Sequence, residues 1–367
     1  MSRSRVRIGV VGCGSVLRAY GSLIQKLRFE RAVEVVSVCD IDKAKAEAAR
    51  QRWPDAAVYT DYRDVVTSRL VDLVLVLTAM PAHGEIAGAA LVSGKHVLVE
   101  KPMSTSLEGA RQLLETARDS DGILVCAPHV ILSPTFRIIA KRIRAGDIGR
   151  VLLARARYGW AGPTWGAWYY QPGGGALFDL GVYNVTALTA LIGPARRVTA
   201  MAGTVMPERM ISGQPVESQV IDNAHMLIDF GDSVFGVVTT GFSMQRYRGP
   251  AIELYGSKGT IQLMGDDWAP QGYELWRAKH GAWEVYDETD PGWQWTEGLR
   301  HLIDCIRTGQ HPVYLPEHAY HVLEIMLAAE AASGDGRARE IQSTFSPLEL
   351  PDADAAPEEH DSRVDRV

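Results

Sequence analysis

Between Arg7 and Cys126 the chain alternates short, unbroken runs of Val, Ile and Leu with Ala-, Arg- and Glu-rich stretches. Unbroken apolar runs suit strands covered on both faces, and strands separated by helices are expected to pair in parallel. The pattern predicts strands at Arg7–Val11, Val33–Cys39, Ala57–Tyr59, Val71–Thr78, His96–Glu100 and Ile123–Cys126. Helices are expected between them, as at Asp42–Trp53 and Leu107–Ser120. Residues 1–127 thus read as an α/β domain on a parallel sheet.

Near Pro128 the texture changes. A helix expected at Thr135–Ala145 leads into Gly146-Asp147-Ile148-Gly149, and alternating strands start at Val151. Further strands are expected at Val198–Thr204, Asp222–Asp229, Val234–Thr240 and Ala251–Leu254, with β character fading near Met264. Helices are expected at Val182–Leu191, Glu297–Arg307 and Pro316–Ala332. Residues 128–350 therefore read as a second, α+β domain with an open, mainly antiparallel sheet, and two domains suit 367 residues. Residues 351–367 are acidic and lack apolar periodicity, the mark of a disordered tail. A net charge of −6 leaves no basic stripe for nucleic acid. No apolar run approaches a membrane span. The four cysteines are scattered without metal spacing, so no metal and a reducing cytoplasm are expected.

Gly12-Cys13-Gly14 follows the first strand and opens a helix with Ser15 and Val16. In that setting the first glycine permits a tight turn, and the second lets a pyrophosphate approach the helix N-terminus. The third position of the Rossmann fingerprint holds Leu17, where Gly or Ala is usual. Asp40 ends the second strand, placed to accept hydrogen bonds from both adenosine ribose hydroxyls. Asp40 or Asp42 would equally serve as a helix N-cap. A carboxylate repels a 2′-phosphate, so NAD is favoured, with NADP left open because Lys43 stands nearby.

Two later blocks go further. Thr78-Ala79-Met80-Pro81-Ala82-His83 precedes an Ala-rich stretch and then His96-Val97-Leu98-Val99-Glu100-Lys101-Pro102. Gly173-Gly174-Gly175 precedes Asp179-Leu180-Gly181-Val182-Tyr183. In this order the motifs resemble those of the glucose–fructose oxidoreductase / inositol dehydrogenase (Gfo/Idh/MocA) family, over about Arg7 to Phe345. The resemblance implies an NAD(P)-dependent oxidoreductase that moves a hydride between nicotinamide and a secondary alcohol or ketone of a sugar, sugar derivative or cyclitol. It implies a Rossmann domain followed by the open-sheet domain, and a homodimer or homotetramer formed through the sheet's outer face. It makes Lys101 the catalytic lysine and sets Thr78, Pro81, His83 and Glu100 beside Gly12, Gly14, Ser15, Val16, Asp40 and Lys101 around the cofactor. His83 has a structural alternative as a residue that merely starts a helix.

Hydride transfer from a carbinol needs a group to take the hydroxyl proton. Asp179 and Tyr183 lie four apart, on one face of a helix. Tyr183, where many relatives carry His, can act as acid and base if the Lys101 cation stabilises its phenolate. Asp179 would orient substrate or tune Lys101. Two rivals stay open: a non-catalytic dinucleotide-binding sensor, and a glycoside hydrolase or lyase that cycles NAD. The first has no need of the three proton-handling residues together.

For the substrate, His129 is a polar candidate near the domain junction, where relatives often carry arginines. The run from Trp160 to Tyr170 is unusually aromatic; core or subunit-interface packing would explain it as well, and Trp160 and Trp165 are the rings expected to stack on a sugar-like ring. His318 and His321 read as a surface pair on the last helix.

Overall fold

The computed structural model describes residues 5–350, and the acidic stretch 351–367 lies outside the described residues. The first sheet holds β1 (Val6–Val11), β2 (Val33–Cys39), β3 (Ala57–Tyr59), β4 (Leu73–Val76), β5 (His96–Val99) and β6 (Leu124–Cys126). Between them run α1 (Ser15–Phe29), α2 (Lys43–Arg50), α3 (Tyr62–Val66), α4 (His83–Val92) and α5 (Leu107–Asp119). The strands are all parallel, in the order β3-β2-β1-β4-β5-β6. Leu73, Val74, Leu75 and Val76 have no exposure, which is why β4 reads as a continuous apolar run. The strand order reverses between β1 and β4, and open α/β sheets bind ligands at that switch point.

After α6 (Pro134–Arg144) comes β7 (Val151–Gly159), followed by α7 (Val182–Ile192) and then β8 (Arg197–Gly203). Next are β9 (Glu208–Ile211), β10 (Gln214–Glu217), β11 (Asn223–Gly231), β12 (Val234–Gly241) and β13 (Ile252–Gly256). β14 (Gly259–Asp266), β15 (Ala269–Arg277), β16 (Ala282–Tyr286), α8 (Gly298–Thr308), α9 (Pro316–Asp335) and β17 (Arg339–Glu340) complete the chain. Nine of these strands form one sheet, β16-β15-β14-β13-β7-β12-β11-β8-β17, antiparallel except where β7 meets β12. The sheet thus runs well past Met264. Gly265 and Gly272 take positive φ, and the register shifts between Leu263 and Gly265, so the alternation that marks a strand is broken there. The β9–β10 hairpin stands apart as a two-stranded sheet.

Ala224, Met226 and Ile228 of β11 point into the core, while Leu227 between them is exposed, so one face of the large sheet is covered. The last helices bridge the two domains, with α9 packed on β8 of the large sheet. α8 packs on β1 and β5, and α9 reaches β6 and α5. Trp295, just before α8, meets Tyr20 of α1 edge-on at 5.5 Å.

His318 and His321 are not on the surface. Both are buried: His318 Nε2 bonds the Thr189 hydroxyl at 2.7 Å, and His321 Nε2 accepts from the Ala195 amide at 2.9 Å. Burial holds the imidazoles down, at about 3 and about 4, so they serve as neutral rivets from α9 to α7 and to the turn that follows it. α9 is covered on several sides, so it shows no polar face from which burial can be read.

Candidate active site

A cleft of about 740 Å³ opens at the switch point, lined by the glycine turn, the ends of β2 and β4, Glu100, Lys101 and Asp179. That volume lies within the usual range for small-molecule sites. Gly12 has φ +99°, and a Cβ there would fall 2.5 Å from the Leu77 backbone. No other residue fits so close a crossing of β1 and β4. A Cβ at Gly14 would meet nothing within 4 Å, which leaves space over the start of α1. Gly14 is the N-cap of α1 and no side chain caps it, so the first amides of the helix remain as donors for an anion. Ser15 and Val16 line the same wall. Leu17, at the departure from the fingerprint, is buried in the core beside it.

Asp40 faces this turn: Oδ2 accepts from the Cys13 amide at 2.8 Å and Oδ1 from the Asp42 amide at 2.9 Å. The N-cap of α2 is Asp42, whose side chain accepts from the Ala44 amide, so Asp40 is released from capping. Lys43 does not line the cleft; Lys45 and Arg63 do. Each is paired with acids: Lys45 with Asp42 at 3.7 Å, Arg63 with Asp61 at 3.3 Å and Glu85 at 3.6 Å. The open cradle and the carboxylate at its far end fit a dinucleotide.

Thr78 and His83 line the middle of the cleft. His83 is buried, with Nδ1 2.8 Å from the Pro102 carbonyl and Nε2 3.0 Å from that of Thr78. Burial lowers its pKa, against the pull of those carbonyls. The ring thus ties the Lys101-Pro102 loop, which holds a cis peptide, to the end of β4. Pro81, expected at the cofactor, is outside the lining; its ring faces Gly173, where a Cβ would come within 2.9 Å. Glu100 is buried, and Oε1 accepts from the Tyr20 hydroxyl at 2.8 Å while Oε2 accepts from the Lys101 amide at 3.2 Å. Burial raises its carboxyl above the ordinary range.

Lys101 is brought to Asp179 across the domain junction. Its Nζ donates to Asp179 Oδ1 at 2.6 Å and to the Asp179 carbonyl at 2.7 Å, with the two side chains only 10% and 13% exposed. Asp179 sits in a π-helical turn, Leu177–Gly181, that runs into α7, and this wider turn sets it off from the regular helix that carries Tyr183. Lys101 Nζ lies 5.2 Å from the centre of the Tyr183 ring. The expectation that the cation stabilises a phenolate is therefore corrected. Its hydrogen bonds go to Asp179, and burial followed by the Glu100 carboxyl pushes the Tyr183 phenol well above its usual value. Tyr183 remains a phenol and lies outside the cleft lining, with Tyr158 edge-on at 5.6 Å.

The substrate-side expectations fare unevenly. His129 is fully buried away from the cleft, its ring against Tyr314 at 5.1 Å and against Gly298, where a Cβ would come within 2.3 Å of Nδ1. It is a packing residue, not a substrate contact. Trp168 and Tyr169 line the cleft; Trp160 and Trp165 lie outside that lining, stacked on each other at 5.5 Å. The aromatic run pointed to the right segment, but no local pattern says which of its rings faces inward. Tyr20 was missed altogether, because its partner Glu100 is 80 residues away. Among the described residues no group of three or more His, Cys, Asp or Glu could hold a metal ion, and no helix is long and apolar enough to cross a membrane.

Known proteins match along both halves. Residues 6–127 match the oxidoreductase family with an NAD-binding Rossmann fold, and residues 136–262 the GFO/IDH/MocA C-terminal domain. Trans-1,2-dihydrobenzene-1,2-diol dehydrogenase of Macaca fuscata fuscata is 27% identical over 322 residues, 83% of this chain and 89% of that one. The scyllo-inositol 2-dehydrogenase (NADP(+)) of Bacillus subtilis is 26% identical over 71% of this chain and 70% of its own. Among solved structures, a levoglucosan dehydrogenase in complex with NADH and levoglucosan superposes with a TM-score of 0.82 at 20% identity, over 93% of this chain and all of that one. An oxidoreductase domain protein from Kribbella flavida gives 0.83 at 24% identity, with the same coverage. With its glycine turn, its Lys101–Asp179 pair and both family domains in order, the chain belongs to the GFO/IDH/MocA oxidoreductase family.

Proposed function

We propose that the protein is an NAD-dependent dehydrogenase acting on a secondary alcohol of a sugar, sugar derivative or cyclitol, and reversibly on the matching ketone. The observation that carries the reading is the Lys101–Asp179 pair in the same cleft as the glycine turn and Asp40. When bound, the nicotinamide supplies the hydride acceptor or donor. Lys101 handles the proton: its ammonium gives one to the substrate oxygen in reduction, and Nζ receives it back in oxidation. Asp179 fixes Nζ through two oxygens, and the Tyr183 ring backs Nζ with its centre 5.2 Å away. His83 and Glu100 hold the loop that carries Lys101. The test is NADH absorbance at 340 nm with a panel of sugars, cyclitols and glycosides. Net NADH formation supports the dehydrogenase. NAD binding with no turnover favours the sensor, and turnover without net NADH favours the cycling hydrolase or lyase.

NAD is the cofactor favoured by Asp40. Asp40→Asn keeps an oxygen for the Cys13 amide and removes the charge. It is expected to shift the NADP-to-NAD ratio of kcat/KM about tenfold toward NADP, the scale of one lost like-charge contact of ~1.4 kcal/mol. An unchanged ratio would assign selectivity to Lys45 and Arg63 instead.

We further propose a homodimer or homotetramer built on the outer face of the nine-stranded sheet. Leu153 and Phe235 are register partners there, and both are about half exposed, as is Leu227. Apolar patches of this kind mark association surfaces. Sedimentation equilibrium tests it, and a monomer at micromolar concentration refutes it.

A further inference from the structure

The segment 160–170 leaves the end of β7 and returns to the cleft as a chain of four touching rings. Trp160 and Trp165 stack at 5.5 Å, Trp165 meets Tyr169 edge-on at 6.3 Å, and Tyr169 and Trp168 stack at 3.7 Å. Trp168 and Tyr169 line the cleft that holds Lys101 and Asp179, so the aromatic strip is continuous with the reaction site. Its outer part is open: Trp165 is 55% exposed and Trp168 37%. Large rings left so open at the mouth of a cleft present apolar faces to whatever enters it.

The backbone that carries the strip is also pinned. Arg209 of the β9–β10 hairpin is buried beneath it and donates from Nη1 to the carbonyls of Ala161 and Phe242, at 2.9 and 3.0 Å. Nη2 donates to Asp222 at 2.8 Å, and the guanidinium lies 5.3 Å from the centre of the Tyr170 ring. Tyr170 in turn donates to the Pro163 carbonyl at 2.8 Å, and the Ser212 amide to that of Thr164 at 2.8 Å. Rings carried on a backbone pinned in this way have less freedom to lose when a ligand stacks on them.

We infer that Trp165 and Trp168 form a second-ring subsite, so that the preferred substrate is a glycoside: a sugar oxidised at Lys101 that carries a second pyranose or aryl ring lying on the aromatic strip. The inference rests on the proposed sugar-dehydrogenase reading of the cleft and deepens it. A pyranose presents an apolar C–H face and an arene a π face, and both stack on indole. A ring on Trp165 can also turn its hydroxyls to water, because that side of the strip is open.

The test uses the full chain loaded with NAD, titrated by calorimetry and tryptophan fluorescence with methyl, phenyl and glucosyl derivatives of D-glucose, D-galactose and D-mannose. Two-ring ligands are expected to bind about five- to tenfold tighter than the methyl glycosides of the same sugar, the scale of one aromatic stacking contact. Trp165→Ala is expected to bring that ratio to about one, and Trp165→Phe to restore most of it. A preference for phenyl over glucosyl derivatives would identify the second ring as an arene, and the reverse as a sugar. The subsite is overturned if the two-ring preference is absent from the wild type, or if it persists in Trp165→Ala. NADH absorbance on the same panel separates the two readings. Turnover of methyl glycosides with no gain from a second ring removes the subsite and keeps the dehydrogenase. Trp165-dependent binding without net NADH does the opposite.

Discussion

Lys101→Met is expected to lower kcat/KM about 10³-fold while leaving NAD affinity within about threefold, since general acid–base groups contribute 10²–10⁴. Methionine keeps much of the lysine stem and removes the ammonium, so the loop between Glu100 and Pro102 retains its packing. What disappears is the proton donor and one half of a pair whose members are only 10% and 13% exposed. The Asp179 carboxylate then sits at the cleft with no cation on it and repels an alkoxide, which adds to the loss. Asp179→Asn is expected to fall by a smaller factor, because the Asp179 backbone carbonyl still holds Nζ. The double variant should be little worse than Lys101→Met, as residues that act as a unit are not additive. Steady-state kinetics beside NAD calorimetry checks all three. Turnover within tenfold of the wild type in Lys101→Met would remove Lys101 from the chemistry and return the proton to Tyr183.

What could be read from the chain alone follows from how local each determinant is. The first sheet was legible strand by strand because several strands announce themselves as continuous apolar runs between helical stretches, and Gly12, Gly14 and Asp40 sit at fixed offsets from strand ends. Lys101 and Asp179 were legible as motifs, although 78 residues separate them and only the fold shows their contact. The role expected for Tyr183 failed on geometry that no spacing encodes, since the cation reaches the face of its ring and spends its hydrogen bonds on Asp179. His129 was taken for a substrate contact and His318 and His321 for a surface pair, because burial among apolar neighbours cannot be seen without the fold. Order along the chain put both last helices in the second domain, and it does not show that α8 packs on β1 and β5 while α9 packs on β8. In the aromatic segment composition found the wall, but which rings face the cleft, Trp168 and Tyr169 and not Trp160 and Trp165, is set by the fold of a segment held on the Arg209 anchor.

That anchor carries the largest stability effect expected outside the glycine turn. Asp222→Ala should lower the unfolding free energy by about 3–5 kcal/mol, the cost of leaving one member of a buried ion pair alone. Arg209 and Asp222 are 6% and 0% exposed, so solvent does little to replace the lost partner. The carboxylate also accepts from the Val205 amide at 2.7 Å and the Met206 amide at 2.9 Å, and alanine leaves both donors unpaired as well. Arg209→Met should cost less than Asp222→Ala, because Asp222 keeps those two amides while methionine refills part of the space left by the arginine stem. Combining Asp222→Ala with Arg209→Met should recover part of the loss, since the double change no longer strands a buried cation. Urea denaturation followed by tryptophan fluorescence reads the effect. The same samples should lose the expected preference for two-ring ligands, because the rings of the strip are held through Ala161, Phe242 and Tyr170 by the group that has been set loose. A loss below about 1 kcal/mol in Asp222→Ala, the level of an exposed ion pair, would mean that the hairpin and the aromatic segment hold each other by packing alone.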